Sequence, residues 1–192
     1  MIKFVQINVV PMLNEVFAII DKYYASDDEL RRIFLIHARK VADLSLEMAE
    51  RHPELSLDLA FIEEAALLHD IGIFMTDAPR IHCHGSSPYI CHGWLGAELL
   101  RKEGMPKHAR VCERHTGVGL SKELIMASGW PLPHVDLVPQ SLEEQLICFA
   151  DKFYSKTRHL EEVRTFRQVV ESMGRISEEA VQKVIQWNGM FG

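Results

Sequence analysis

AALLHDIGIF, residues Ala65 to Phe74, carries an apolar run into an imidazole and a carboxylate standing side by side. The run reads as the end of a buried helix, and His69 and Asp70 fall within it. Burying either group is costly unless it finds a partner. The identity of that partner decides how the rest of the chain is read.

Around this stretch the chain reads as one helix after another. Asn14 to Tyr24 carries Val16, Phe17, Ile19 and Ile20, with Pro11 just before it. SDDEL, Ser26 to Leu30, is a helix start: a capping Ser or Asp followed by acids. The helix it opens places Leu30, Ile33, His37, Val41, Leu44 and Met48 on one face. Pro53 breaks it, and Leu57 to Ile71 forms the next. Gly72 to Tyr89, with its Gly, Ser and two Pro, reads as a loop with at most a short helical turn. Helices follow over His92 to Glu103, ended by Gly104, and from Pro106 to about Arg114. A short one covers Ser121 to Ala127, and Gly129 to Pro139 is extended. Ser141 opens a capping box for a helix through about Thr157. Two more run from His159 to Met173 and from Ser177 to Trp187. No strand pair, repeat, low-complexity run or linker interrupts the series. The expected class is all-α, a helical bundle in a single domain over residues 1–192.

Composition narrows the function classes. An apolar fraction of 47% in 192 residues suits a globular core. No window has the length of a membrane span. The N-terminal MIKFVQINVVPML lacks a cleavage site and is not read as a signal peptide. Cys83, Cys91, Cys112 and Cys148 form no C-x-x-C pair, which suits reduced thiols in a cytoplasm. A net charge of −6 argues against a nucleic-acid duplex as partner, while leaving room for a small anion held by a local basic cluster.

The helical faces then answer the opening problem. His37 lies in an apolar stripe. His69 shares a face with Ile62, Ala65 and Ala66. His92 opens a helix that buries Leu95 and Leu99, His115 follows Val111 and Cys112, and Asp151 follows Ile147 and Cys148. These imidazoles and carboxylates point inward from different helices, and one or two bound cations would satisfy them. Imidazole with carboxylate suits Fe, Mn, Co, Ni or Zn. Asp70, with two oxygens, could bridge a pair of ions.

His37, then His69-Asp70, then Asp151, in that order, resembles the HD-domain metal-dependent phosphohydrolase superfamily, and His69-Asp70-Ile71-Gly72 matches its HDIG subset. His92 in CHGWLGAELL resembles the family's H-x-x-x-G-A helix. His115 in ERHTGVGLS is similar to the H-T-G-x-G-x-S of bacterial dinucleoside-tetraphosphate hydrolases, and SLEEQLICFADKFYSKT resembles the family's E-E-K-I-x-x-x-A-D-K helix. The segment between His115 and Asp151 is longer than in those hydrolases, and the G-Y-P signature of cyclic-dinucleotide phosphodiesterases is absent around His115. The likeness covers about residues 35–157. It implies an HD-type core at about 30–158, with the N-terminal helix and the C-terminal helices packed on it.

By that resemblance one divalent transition ion takes His37, His69, Asp70 and Asp151, and a second takes His92, His115 and the bridging Asp70. The chemistry implied is attack of a metal-bound hydroxide on phosphorus, with a small phosphorylated substrate, a nucleotide or a relative of one. Such a substrate also calls for cations beside the metals. Asp70 and Lys152 are the catalytic candidates, Lys152 being otherwise a solvated helix residue. Arg110 and Arg114 are candidates for binding substrate, or else ordinary surface charges. His82 and His84 lie in the loop between ligand segments and are candidates for facing the substrate. His52, His108, His134 and His159 read as surface or turn residues. Two other function classes share the ligand set: a di-iron oxygenase of the same fold, and a ligand-binding module without turnover.

Overall fold

The computed structural model describes residues 9–26, 28–157 and 160–192. Among these the chain folds into helices α1 (Val9–Tyr23), α2 (Glu29–Arg51), α3 (Leu59–Leu68), α4 (His92–Lys102), α5 (Pro106–Arg114), α6 (Lys122–Ser128), α7 (Leu142–Asp151), α8 (Phe166–Met173) and α9 (Glu178–Phe191). No described helix is long and apolar enough to cross a membrane.

Sequence explains most of the boundaries. Asp58 caps α3 by accepting from the Phe61 amide, and Ser121 and Ser177 do the same for α6 and α9. Asp28 is the residue of SDDEL that caps α2. Pro11 lies inside the first turn of α1 rather than before it. A first-turn residue needs no intrahelical amide partner, so proline is tolerated there.

α3 is the central element. Seven of its ten residues are buried, and α2, α5 and α7 pack around it. Its apolar residues therefore show no single face. α4 lies against α5, and α9 closes the far side by packing Trp187 and Phe191 around Phe149 of α7. A separate small cluster of Cys91, Leu120, Ile125, Leu132 and Leu137 anchors α6 and the segment after it.

The structure departs from the sequence reading in several places. The Gly72–Tyr89 stretch holds a small sheet of β1 (Thr76–Ala78), β2 (Cys83–His84) and β3 (Ser87–Pro88), in the order β2-β1-β3. β1 is antiparallel to β2 and parallel to β3. Strands of two and three residues are too short to carry an alternating pattern. The 129–139 segment is bends, and Leu137 bonds with Leu120 to tie it down.

Ser141 caps α7 through the Glu144 amide, but the Glu144 carboxylate turns to Gln140 N and Arg114, so the box is incomplete. The complete capping box is at Thr165 and Gln168, where α8 begins. Helix was expected from His159, which lies outside the described residues. α7 stops at Asp151, short of Thr157. From there Lys152, Phe153 and Tyr154 bond back three residues instead of four, and the chain turns away.

Candidate metal centre and the cavity beside it

The inward imidazoles and carboxylates meet at one place because four helices end or begin there. His37 comes from the middle of α2. His69 is the C-terminal cap of α3, with Asp70 next to it; His92 is the first residue of α4; His115 caps α5; and Asp151 is the last residue of α7. None of the six is more than 9% exposed.

Two features hold the His69-Asp70 turn in place. Tyr24, stacked on Phe34, donates its hydroxyl to the Ile71 carbonyl at 3.1 Å. Gly72 then lets the turn lie directly on α4. A Cβ there would meet the His92 carbonyl and the Gly96 amide, with Gly96 Cα at 2.8 Å. The glycine thus sets the separation between Asp70 and His92.

Three rings are oriented in the same way. Nδ1 of His69, His92 and His115 lies 2.6–2.7 Å from the carbonyl three residues earlier, at Ala66, Tyr89 and Cys112. A carbonyl only accepts, so each Nδ1 carries the proton and each Nε2 is turned to the centre. Asp70 is shared between two groups. Its Oδ2 is 3.2 Å from His37 Nε2 and 3.1 Å from His69 Nε2, while Asp151 Oδ1 lies 3.0 Å from His37 Nε2. Asp70 Oδ1 is 3.4 Å from His92 Nε2 and 3.3 Å from His115 Nε2.

In the second group the two Nε2 atoms stand 3.0 Å apart. Burial pushes His92 down to about 3 and lowers His115 as well. Both Nε2 atoms are therefore bare acceptors facing an anionic oxygen, and Asp70 Oδ1 accepts no hydrogen bond among the described residues. Three acceptors with no donor fit a cation and little else.

The first group brings two carboxylates to its two imidazoles. Burial opposes charge on His69, but Asp70 and Asp151 outweigh it and hold the imidazole at about 9. Burial would likewise raise both carboxyls. Lys156 and His69 instead keep Asp70, and Lys152 and Lys156 keep Asp151, well below the usual carboxylate range. Each group can hold a metal ion: His37, His69, Asp70 and Asp151 in one, Asp70, His92 and His115 in the other.

A cavity of about 330 Å³ opens beside this centre. Lys156 and Tyr89 form part of its wall. Lys156 Nζ is 2.6 Å from Asp70 Oδ2, and the Tyr89 ring stacks on His92 at 4.6 Å between centroids.

The HD domain family model matches residues 34–155, a span that holds all six side chains. The chain belongs to the HD domain family. This HD-domain chain is 30% identical over 155 residues to the uncharacterized protein MJ0778 of Methanocaldococcus jannaschii, covering 79% of the chain and 83% of that protein. It is also 28% identical to the tRNA (cytidine(56)-2'-O)-methyltransferase of Thermoplasma volcanium, over 93% of the chain and 46% of that protein. The methyltransferase of the same name from Picrophilus torridus is 31% identical, over 80% of the chain and 42% of its own length. The chain thus spans less than half of either methyltransferase. Among solved structures, the HD domain of the L. monocytogenes phosphodiesterase PgpH superposes with a TM-score of 0.51 at 16% identity, covering 95% of this chain and all of that one. Its complex with cyclic-di-AMP gives the same score over 92% and 97%. At this identity the likeness is one of fold.

The cations expected around the HD-domain centre are placed differently from the sequence reading. Lys152 is not the solvated helix residue of the alternative reading. It is 8% exposed, and its ammonium donates to Asp151 Oδ2 at 2.7 Å and to the His115 carbonyl at 3.0 Å. It braces two candidate ligands at once. Arg114 directs its Nη1 to both oxygens of Glu144 at 3.0–3.1 Å, which holds the guanidinium against α7. Arg110 is on the exposed side of α5 and lines no part of the cavity, and His84 is exposed on β2 and is likewise absent from its lining. His108, expected at the surface, is 7% exposed and bonds Glu64 at 3.1 Å. Sequence reasoning missed Lys156. It lies within the quoted SLEEQLICFADKFYSKT but beyond the real end of α7, so no helical periodicity points it anywhere.

Proposed function

We propose that the chain is a metal-dependent phosphohydrolase acting on a nucleotide or a related phosphate ester or anhydride at a binuclear centre. His37, His69, Asp70 and Asp151 would hold one divalent transition ion, and Asp70, His92 and His115 the other. The observation that carries this reading is the donor-free set of His92 Nε2, His115 Nε2 and Asp70 Oδ1, next to a second group that shares the same carboxylate. Family membership and the fold neighbour, whose printed name is a phosphodiesterase, support the reaction class.

Ions held there would supply Lewis acidity and an activated water. The chain's own part is to fix the donors and receive the substrate. Carbonyls at Ala66, Tyr89 and Cys112 lock the rings. Lys152 holds Asp151 so that Oδ1 faces His37, and Lys156 puts a positive charge between the carboxylates and the cavity.

The test is turnover of a panel of nucleotides and p-nitrophenyl phosphate by protein reconstituted with Mn, Co, Ni, Zn or Fe. Phosphate release that is lost in Asp70→Ala supports the reading. Dioxygen consumption by the iron form with no phosphate release under any metal would overturn it in favour of an oxygenase.

A further inference from the structure

The cavity beside the centre has a composition that the ligand set does not require. Among the described residues lining it are Arg80, Lys156 and Arg164, and no carboxylate. In a chain of net charge −6 this is a local inversion of sign. Tyr89 and Tyr154 supply aromatic surface, and Ser155 a hydroxyl.

The three cations come from different parts of the chain. Arg80 follows β1, Lys156 follows the end of α7, and Arg164 precedes α8. Arg164 is held to that turn by its amide, which donates to the Phe153 carbonyl at 2.8 Å. Its Nη1 reaches the Lys152 carbonyl only at 3.4 Å, a weak contact. Arg80 is exposed. Arginine forks suit phosphate oxygens better than any other side chain.

Volume sets a second limit. A cavity of about 330 Å³ lies at the small end of the range for ligand pockets, about 300–1,000 Å³. It suits one small organic group with its phosphate rather than two nucleosides together.

We infer that this cavity is the subsite for the non-scissile phosphate of a substrate carrying two linked phosphates on a single small organic group, with Arg80 and Arg164 as the residues that select it. The inference rests on the phosphohydrolase reading. The terminal phosphoryl lies at the His/Asp centre, the inner phosphate meets Lys156, Arg80 and Arg164, and the organic group lies along Tyr89 and Tyr154. In the reaction, water adds to the terminal phosphorus and the bond from that phosphorus to the bridging oxygen breaks. Orthophosphate, the monophosphate and a proton leave.

ADP and AMP serve as the probes. Metal-reconstituted protein should show a higher kcat/KM for ADP than for AMP. Arg80→Ala and Arg164→Ala should each reduce the ratio of the two by about tenfold, and Arg164→Lys should recover part of it. A ratio unchanged in both alanine variants, measured on protein with the wild-type circular dichroism spectrum, overturns the subsite while hydrolysis itself stands. If no phosphate compound is turned over, the phosphohydrolase reading is the one that fails. Calorimetry with the methylene-bridged analogue of ADP then decides the subsite: binding weakened about tenfold in either alanine variant upholds it, and equal binding in all forms overturns it.

Discussion

Lys152 and Lys156 are separated by one turn of chain, yet their surroundings give them different tasks. Burial would strip Lys152 of its proton, but the Asp151 carboxylate keeps its pKa above the ordinary value, so it stays a cation bonded to a candidate ligand. Removing it leaves Asp151 buried with less compensation, at a cost of about 1–3 kcal/mol. Lys152→Ala is therefore expected to lose metal, with kcat falling in step with occupancy. Lys156 lies against Asp70, with Asp151 farther off at 3.9 Å, and also forms part of the cavity wall. Lys156→Met should keep or increase metal content, because an ammonium competing for Asp70 Oδ2 is gone. Its kcat/KM on a phosphate substrate should fall by about tenfold to a hundredfold. Elemental analysis paired with steady-state kinetics checks both. A Lys152→Ala protein with full metal content would show that this lysine is not a brace.

At the scale of elements, the decisive contact is between the turn after α3 and the start of α4. Gly72 lies against backbone atoms of His92 and Gly96, which cannot swing aside as a side chain would. Gly72→Ala should therefore push α4 away, costing about 1–3 kcal/mol of stability. It should also weaken metal binding, because His92 moves relative to Asp70. Thermal melts of the chelated protein measure the first effect. An unchanged midpoint would mean that α4 adjusts freely.

The same contact indicates what was legible in the sequence. Imidazoles on amphipathic helices could be assigned an inward direction from their apolar neighbours, and all of them are buried. Side chains beyond a helix end carry no such periodicity. Lys156 was therefore missed, and the bonds of Lys152, at the cap of α7, to Asp151 and the His115 carbonyl were not legible. Arg114 looked available because its partner, Glu144, is thirty residues away on another helix. The β1–β3 sheet escaped notice because its strands are shorter than any pattern.

For the whole molecule, the centre is a cross-link. Its candidate ligands come from α2, the turn after α3, α4, α5 and α7, so two ions held there would together tie most of the bundle. Binding to the folded chain alone stabilises it by about 2.7 kcal/mol when free metal is a hundred times the dissociation constant. For a domain of this size that raises the melting midpoint by about 5–10 °C. Addition of Mn or Zn to chelated protein should produce such a shift. The variants then separate one ion from two, because the groups share only Asp70. His37→Ala removes a donor from the first group and His92→Ala from the second, so each should lower the stoichiometry from two ions per chain to one and keep part of the thermal shift. Asp70→Asn, which weakens both groups, should lose most of the shift. Calorimetric titration followed by melting of the four proteins makes the comparison. Wild-type protein that takes up a single ion, with His92→Ala indistinguishable from it, would leave the group at His37 as the whole centre and remove His92 and His115 from it.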